Sequence, residues 1–121
     1  MSVQLHMEQM PGYLAARFTG PGVAEEAWRQ FELIAERCES AKKNKLLLDF
    51  TEAYGKISLT DRYFAGVSAE IFAPHKIIKT AFLARPDQLD YQKFSERVME
   101  NRWVVARVFT NVETAEEWLL K

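Results

Sequence analysis

Cys38 is the only cysteine among 121 residues. No disulfide can form within the chain, and a reducing compartment suits it. Charge of one sign is also lacking, since 16 Lys and Arg stand against 17 Asp and Glu. That balance argues against nucleic-acid binding, which usually rests on concentrated positive charge. No apolar run approaches the roughly 20 residues needed to span a bilayer. The N-terminus alternates polar and apolar residues where a signal peptide would carry a continuous apolar core. A cytoplasmic protein without a transmembrane segment is the expectation. Histidine is limited to His6 and His75, and neither belongs to a set of Asp, Glu or Cys with metal-ligand spacing. The glycines at 20, 22, 55 and 66 match neither the dinucleotide-binding nor the P-loop spacing. Neither a metal nor a cofactor is expected.

What is present reads as an ordinary globular chain, 48% apolar and 27% charged. At this length one domain, residues 1–121, is expected to bury about two-thirds of the surface its unfolded form exposes. Val3, Leu5 and Met7 alternate with polar residues, as in a strand with one wet face. Pro11-Gly12 forms a tight turn into a second, antiparallel strand over Tyr13 to Thr19. A long helix follows from about Val23 to Ala41, with Phe31, Ile34, Ala35 and Cys38 on its apolar stripe. Residues 45 to 50, with three successive leucines, read as a buried strand ending near Asp49. A second helix is expected over Leu59 to Phe72, a strand over Ile77 to Ala84, and a third helix over Asp87 to Arg102. Val104 to Phe109 is a fifth strand. Thr110-x-x-Glu113 is a capping box for a last helix that buries Val112, Ala115, Trp118 and Leu119.

The order β-β-α-β-α-β-α-β-α makes an α/β protein: a five-stranded, mostly parallel sheet with an antiparallel first strand and four helices mainly on one face. Strand alternation supports that layering. One parity holds Leu14, Ala16 and Phe18, Leu46, Leu48 and Phe50, Ile78 and Phe82, and Val104, Ala106 and Val108. The other holds Arg17, Asp49, Lys79 and Arg107, one charge per strand, and predicts a partly polar sheet face.

Few residues carry chemistry. Cys38 lies on an apolar stripe and reads as a buried, inert thiol. Lys42, Lys43 and Lys45 follow a helix, where cations favour the C-terminal dipole. Asp49 is the best acidic candidate, with loop capping or pairing to a neighbouring cation preferred over catalysis. No catalytic constellation is present, so an enzyme is not expected.

The strand end Leu48-Asp49-Phe50-Thr51, the loop to Ser58, and the ending Phe109 to Leu119 with its Ala-x-x-Trp-Leu pattern resemble the STAS superfamily. More closely, they resemble its bacterial SpoIIAA-like branch. The resemblance spans nearly the whole chain and implies a β-α superhelix working through protein contact. In anti-anti-sigma factors of this superfamily a serine opening the second helix is phosphorylated by the partner kinase. That position falls on Ser58, where Ile57 and Thr60 replace the usual flanking Asp and Gly. A plain helix cap is the preferred role for Ser58. The expected interaction region is Asp49, Tyr54, Ser58, Tyr63, Phe64 and Val67, contacting a protein partner or a second copy. The alternative is a groove beside the second helix holding an apolar small molecule or lipid, as the lipid-associated members of the branch imply.

Overall fold

In the computed structural model, residues 4–21, 30–54, 72–86 and 105–121 are described. Strand β1 (Gln4–Met10) turns back through Pro11-Gly12 into β2 (Tyr13–Pro21). Proline presets the first central position of the turn, and Gly12 at φ +88° supplies the left-handed second one. A Cβ at Gly12 would also stand 2.6 Å from Leu120 Cδ2. Helix α1 (Phe31–Ser40) leads to β3 (Lys45–Tyr54), and a 3-10 turn (Ala73–His75) leads to β4 (Lys79–Leu83). Strand β5 (Val105–Phe109) and helix α2 (Val112–Leu119) close the chain. The sheet order is β1-β2-β3-β4-β5, antiparallel in the first pair and parallel in the rest. This is the expected mixed sheet, each strand added beside its predecessor. No helix of the described residues is long and apolar enough to cross a membrane.

Alternation decides which side chains meet. Leu14, Ala16 and Phe18, Leu46, Leu48 and Phe50, and Phe82 are buried on the face that receives Phe31, Ile34, Ala35 and Cys38 of α1. Phenylalanines dominate this layer: Phe18 and Phe50 stack at 4.8 Å, and Phe31 meets Phe72 at 5.3 Å. Burial pushes the Cys38 thiol up to about 12 and leaves it unreactive as a nucleophile. Helix α1 ends on Lys42 at φ +59°, with Lys43 N–H donating to Cys38 O and Lys42 N–H to Glu39 O. That is the Schellman arrangement, with lysine where glycine is usual.

Of the four helices expected, α1 and α2 fall among the described residues, one on each face of the sheet. Ala115 and Leu119 of α2 are buried against Tyr13, Leu47, Ala81 and Leu83, which point away from α1. An apolar stripe of this length suits either face, so periodicity does not choose. Three other expectations, concerning Ile78, the cap of α2 and Val112, are corrected. Ile78 is 48% exposed while Ile77 is fully buried, because β4 starts only at Lys79 and the chain before it turns through Lys76 at φ +64°. The cap of α2 is Asn111, whose Oδ1 accepts from Thr114 N–H at 3.1 Å. Asparagine caps at least as well as threonine. Val112 is left 48% exposed as a result. Residues 55–71 and 87–104, which hold nearly all of the expected second and third helices, lie outside the described residues.

Thr80 is the one fully buried polar side chain among the described core, and its hydroxyl has no hydrogen-bond partner. Such a group is costly to desolvate. Thr80→Val should therefore stabilise the protein by about 1 kcal/mol, read as a rise in the thermal midpoint. A lower midpoint would contradict the assignment.

Candidate functional site

Asp49 is not at the end of its strand. Strand β3 continues to Tyr54 through a bulge: Arg17 pairs with Asp49, but Thr19 pairs with Glu52, so β3 holds one residue more than β2. Burial re-phases there, running through Leu46, Leu48 and Phe50 and then Ala53. Asp49 secures the irregular stretch. Its Oδ1 accepts from Thr51 N–H at 2.8 Å and from the Thr51 hydroxyl at 2.6 Å. This is the local side-chain-to-backbone bond that aspartate makes well.

On the other side, β4 pairs with β3 only as far as Leu83 opposite Asp49. Arg85, just past the end of β4, donates to the carbonyls of Thr51 and, at 3.2 Å, Ala53. A guanidinium thus stands in for the missing strand. Together Asp49 and Arg85 let β3 run beyond its neighbour and deliver Tyr54, opposite Pro21, to the rim of the sheet.

The face opposite α1 is divided. Helix α2 covers it over β3, β4 and β5, and a cleft of about 280 Å³ remains over β1, β2 and β3. His6, Glu8 and Met10 of β1, Tyr13, Ala15 and Arg17 of β2, and Leu47 and Asp49 of β3 line it, with Val112 of α2 on its rim. The charged row predicted from alternation therefore exists, and each member is engaged. Arg17 pairs with Glu52 at 3.2 Å on the surface, both side chains more than half exposed. Lys79 donates to Trp118 O at 2.9 Å and lies 4.9 Å from the indole centroid. Arg107 flanks the same ring at 6.0 Å. Burial, then repulsion from Lys45 and Lys121, holds the Lys79 ammonium below its usual range. Its seat at the C-terminal end of α2 favours the cation in turn.

Tyr13 joins the two halves of this face. Its hydroxyl donates to Glu116 Oε2 of α2 at 2.7 Å. Burial first, then the bond to and charge of Glu116, and last the charge of Glu8, push the phenol up to about 12. A phenol so held is unsuited to act as a base near neutrality. His6 Nε2 lies 3.2 Å from the Thr19 hydroxyl, and His75 Nδ1 lies 2.9 Å from Glu39 Oε1. Among the described residues no three His, Cys, Asp or Glu converge as metal ligands.

Of the expected interaction region, Asp49 and the backbone of Tyr54 are described. Ser58, Tyr63, Phe64 and Val67 lie outside the described residues. Asp49 is brought together with His6, Glu8, Tyr13 and Arg17, a grouping the sequence reading missed. Its signal was available: Arg17 and Asp49 share a parity, and the tight hairpin fixes His6 and Glu8 on the same face.

No family model and no curated protein matches the sequence. Solved structures do match. An uncharacterized protein of the DUF3478 family with a SpoIIAA-like fold, from Shewanella loihica PV-4, is 20% identical, with 98% of this chain and 93% of that one covered and a TM-score of 0.56. An anti-sigma factor antagonist from Mycobacterium paratuberculosis is 10% identical, with 99% and 96% covered and a TM-score of 0.62. The chain has the SpoIIAA-like fold.

Two outcomes follow from this geometry. Asp49→Ala should cost about 1–2 kcal/mol by leaving the bulge amide unserved, while Asp49→Asn, which keeps an acceptor oxygen, costs less. Equal losses in chemical denaturation would remove the bulge-capping role. For Tyr13, the folded state favours the protonated phenol, so its contribution is whole below pH 10 and is lost as pH rises towards about 12. Alkaline absorbance titration of folded protein should show one phenol ionising near pH 12 that is absent from Tyr13→Phe. Every phenol titrating near its ordinary value in the folded protein would refute the buried bond.

Proposed function

We propose that this chain is a non-catalytic regulatory module that works by binding a protein partner through the projecting end of β3 and the residues after it, Tyr54 to Val67. The observation that carries the reading is the likeness, over 99% of the chain, to the fold of an anti-sigma factor antagonist. A second consideration agrees with it. Among the described residues, the polar groups nearest that end of the sheet hold the scaffold itself: Asp49 the bulge, and Arg85 the outer carbonyls of β3. They hold a strand end in place, which a contact surface needs.

In this reading Ser58 caps the following helix and is not a switch. Affinity capture from the native host, quantified by mass spectrometry, tests both parts. Wild type should retain a specific partner, and the double change Tyr63→Ala/Phe64→Ala should lose it while still folding. Ser58→Ala should cost about 1 kcal/mol of stability and leave capture unchanged, and Ser58→Asp should not abolish it. A wild-type chain that enriches nothing over the control would overturn the proposal. Loss of the partner with Ser58→Asp at unchanged stability would restore the phosphoswitch.

A further inference from the structure

We propose that the outer edge of β1 is a self-association surface, where two copies of this chain join as antiparallel strands about a two-fold axis at Met7. Strand β1 is at the edge of the sheet and carries a ladder partner on one side only among the described residues. Its register with β2 is unbroken from Gln4 to Met10. Natural edge strands are usually blunted by lysine, proline, a bulge or shortness, and β1 has none of these over seven residues. The opposite edge, β5, is five residues long and carries Arg107.

The hairpin fixes which backbone groups are available. The two-residue turn makes Met10 and Tyr13 the closing hydrogen-bonded pair. Alternation along an antiparallel ladder then commits Glu8, His6 and Gln4 to β2, and turns the N–H and C=O of Leu5, Met7 and Gln9 outward. A second β1 can dock only by matching outward residues to outward residues, which leaves a few registers.

Side chains choose among them. With the axis at Met7 the whole strand overlaps, Met7 faces Met7, and Leu5 faces Gln9. His6 then stands opposite Glu8 twice, in the non-hydrogen-bonded positions where side chains approach most closely. Both residues are exposed and line the cleft face, while Leu5 and Met7 already pack against the core beneath α1. Moving the axis to Glu8 sets Glu8 against Glu8, and moving it to His6 sets His6 against His6, each with a shorter overlap. Only the central register sets an imidazole against a carboxylate, with no carboxylate facing its own kind, and keeps the apolar packing continuous. It joins two five-stranded sheets into one and places each cleft beside the other across the axis. These are different residues from the partner contact proposed above, so either idea can fail alone.

Size-exclusion chromatography with light scattering, and sedimentation across a range of concentrations, test it on the full chain. The expected mass is twice the 14.0 kDa of one chain. Met7→Pro removes an outward N–H that an edge strand can forgo, so the monomer should fold by circular dichroism while the dimer is lost. His6→Glu should raise the dissociation constant by about tenfold or more through two like-charge contacts. The double change His6→Glu/Glu8→Lys should restore it. If Met7→Pro does not fold, the charge pair decides. A monomer at every concentration, or a dimer indifferent to His6→Glu, would overturn the proposal.

Discussion

The double burial of β3 is the constraint on which the rest of the structure depends. Leu46, Leu48 and Phe50 are sealed beneath α1, and Leu47 is sealed beneath α2. A strand covered on both faces tolerates no slip, since a shift by one residue would exchange every side chain between two differently shaped layers. The aromatic layer makes that penalty steep. Phe18, Phe50 and Phe82 run across three neighbouring strands, and Phe31 comes down on Phe18 from the helix. The bulge after Asp49 is the one place where the phase changes. It does so beyond the paired length of β4, where the change disturbs only the contact with β2.

The two faces of the sheet solve different problems. Among the described residues the layer beneath α1 is apolar apart from the Thr80 hydroxyl. The other face must house charged side chains from every strand, and it manages Arg17, Asp49, Lys79 and Arg107 by position. Arg17 reaches solvent and Glu52, Asp49 is turned onto its own backbone, and Lys79 and Arg107 lie against the ring of Trp118. None of these four is both buried and uncompensated, which is what the cost of desolvating charge demands. The cleft is what remains of that face where α2 stops.

Much of this was legible because it is written in period. The parity of β2 and β3 and the stripe Phe31, Ile34, Ala35 and Cys38 follow from spacings of two and of three to four residues, the hairpin from its Pro11-Gly12 turn, and the parallel pairing from right-handed crossovers. That a structure 10% identical shares the fold over 99% of the chain makes the same point, since pattern survives where identity does not. The extent of β3 was not legible. A bulge breaks alternation just as a loop does, so Phe50-Thr51-Glu52-Ala53 reads as the end of a strand. The cap of α2 was ambiguous between two adjacent good cappers, Thr110 and Asn111. Its face was undetermined, because Ala115 and Leu119 suit either side. At the candidate site, alternation put Asp49 and Arg17 on one face, but the register that makes them neighbours is set by the pairing of β2 with β3. Beyond Asp49, capping chemistry, helical spacing and a cluster of aromatics singled out Ser58, Tyr63, Phe64 and Val67, and only a signalling role for Ser58 was drawn from family resemblance.

Helix α2 has only eight residues and buries just Ala115 and Leu119. An isolated helix of that length is unstable in water, so it persists through its moorings: Asn111 at one end, Lys79 at the other, and Glu116 to Tyr13 between. Such an element is the natural first unit to detach in a partial opening. Its departure would bare Leu47, Ala81 and Leu83 while the phenylalanine layer on the far side stayed intact. In hydrogen exchange the amides of this terminal segment should thus lose protection well ahead of the central strands, as a hatch opens on a closed hull.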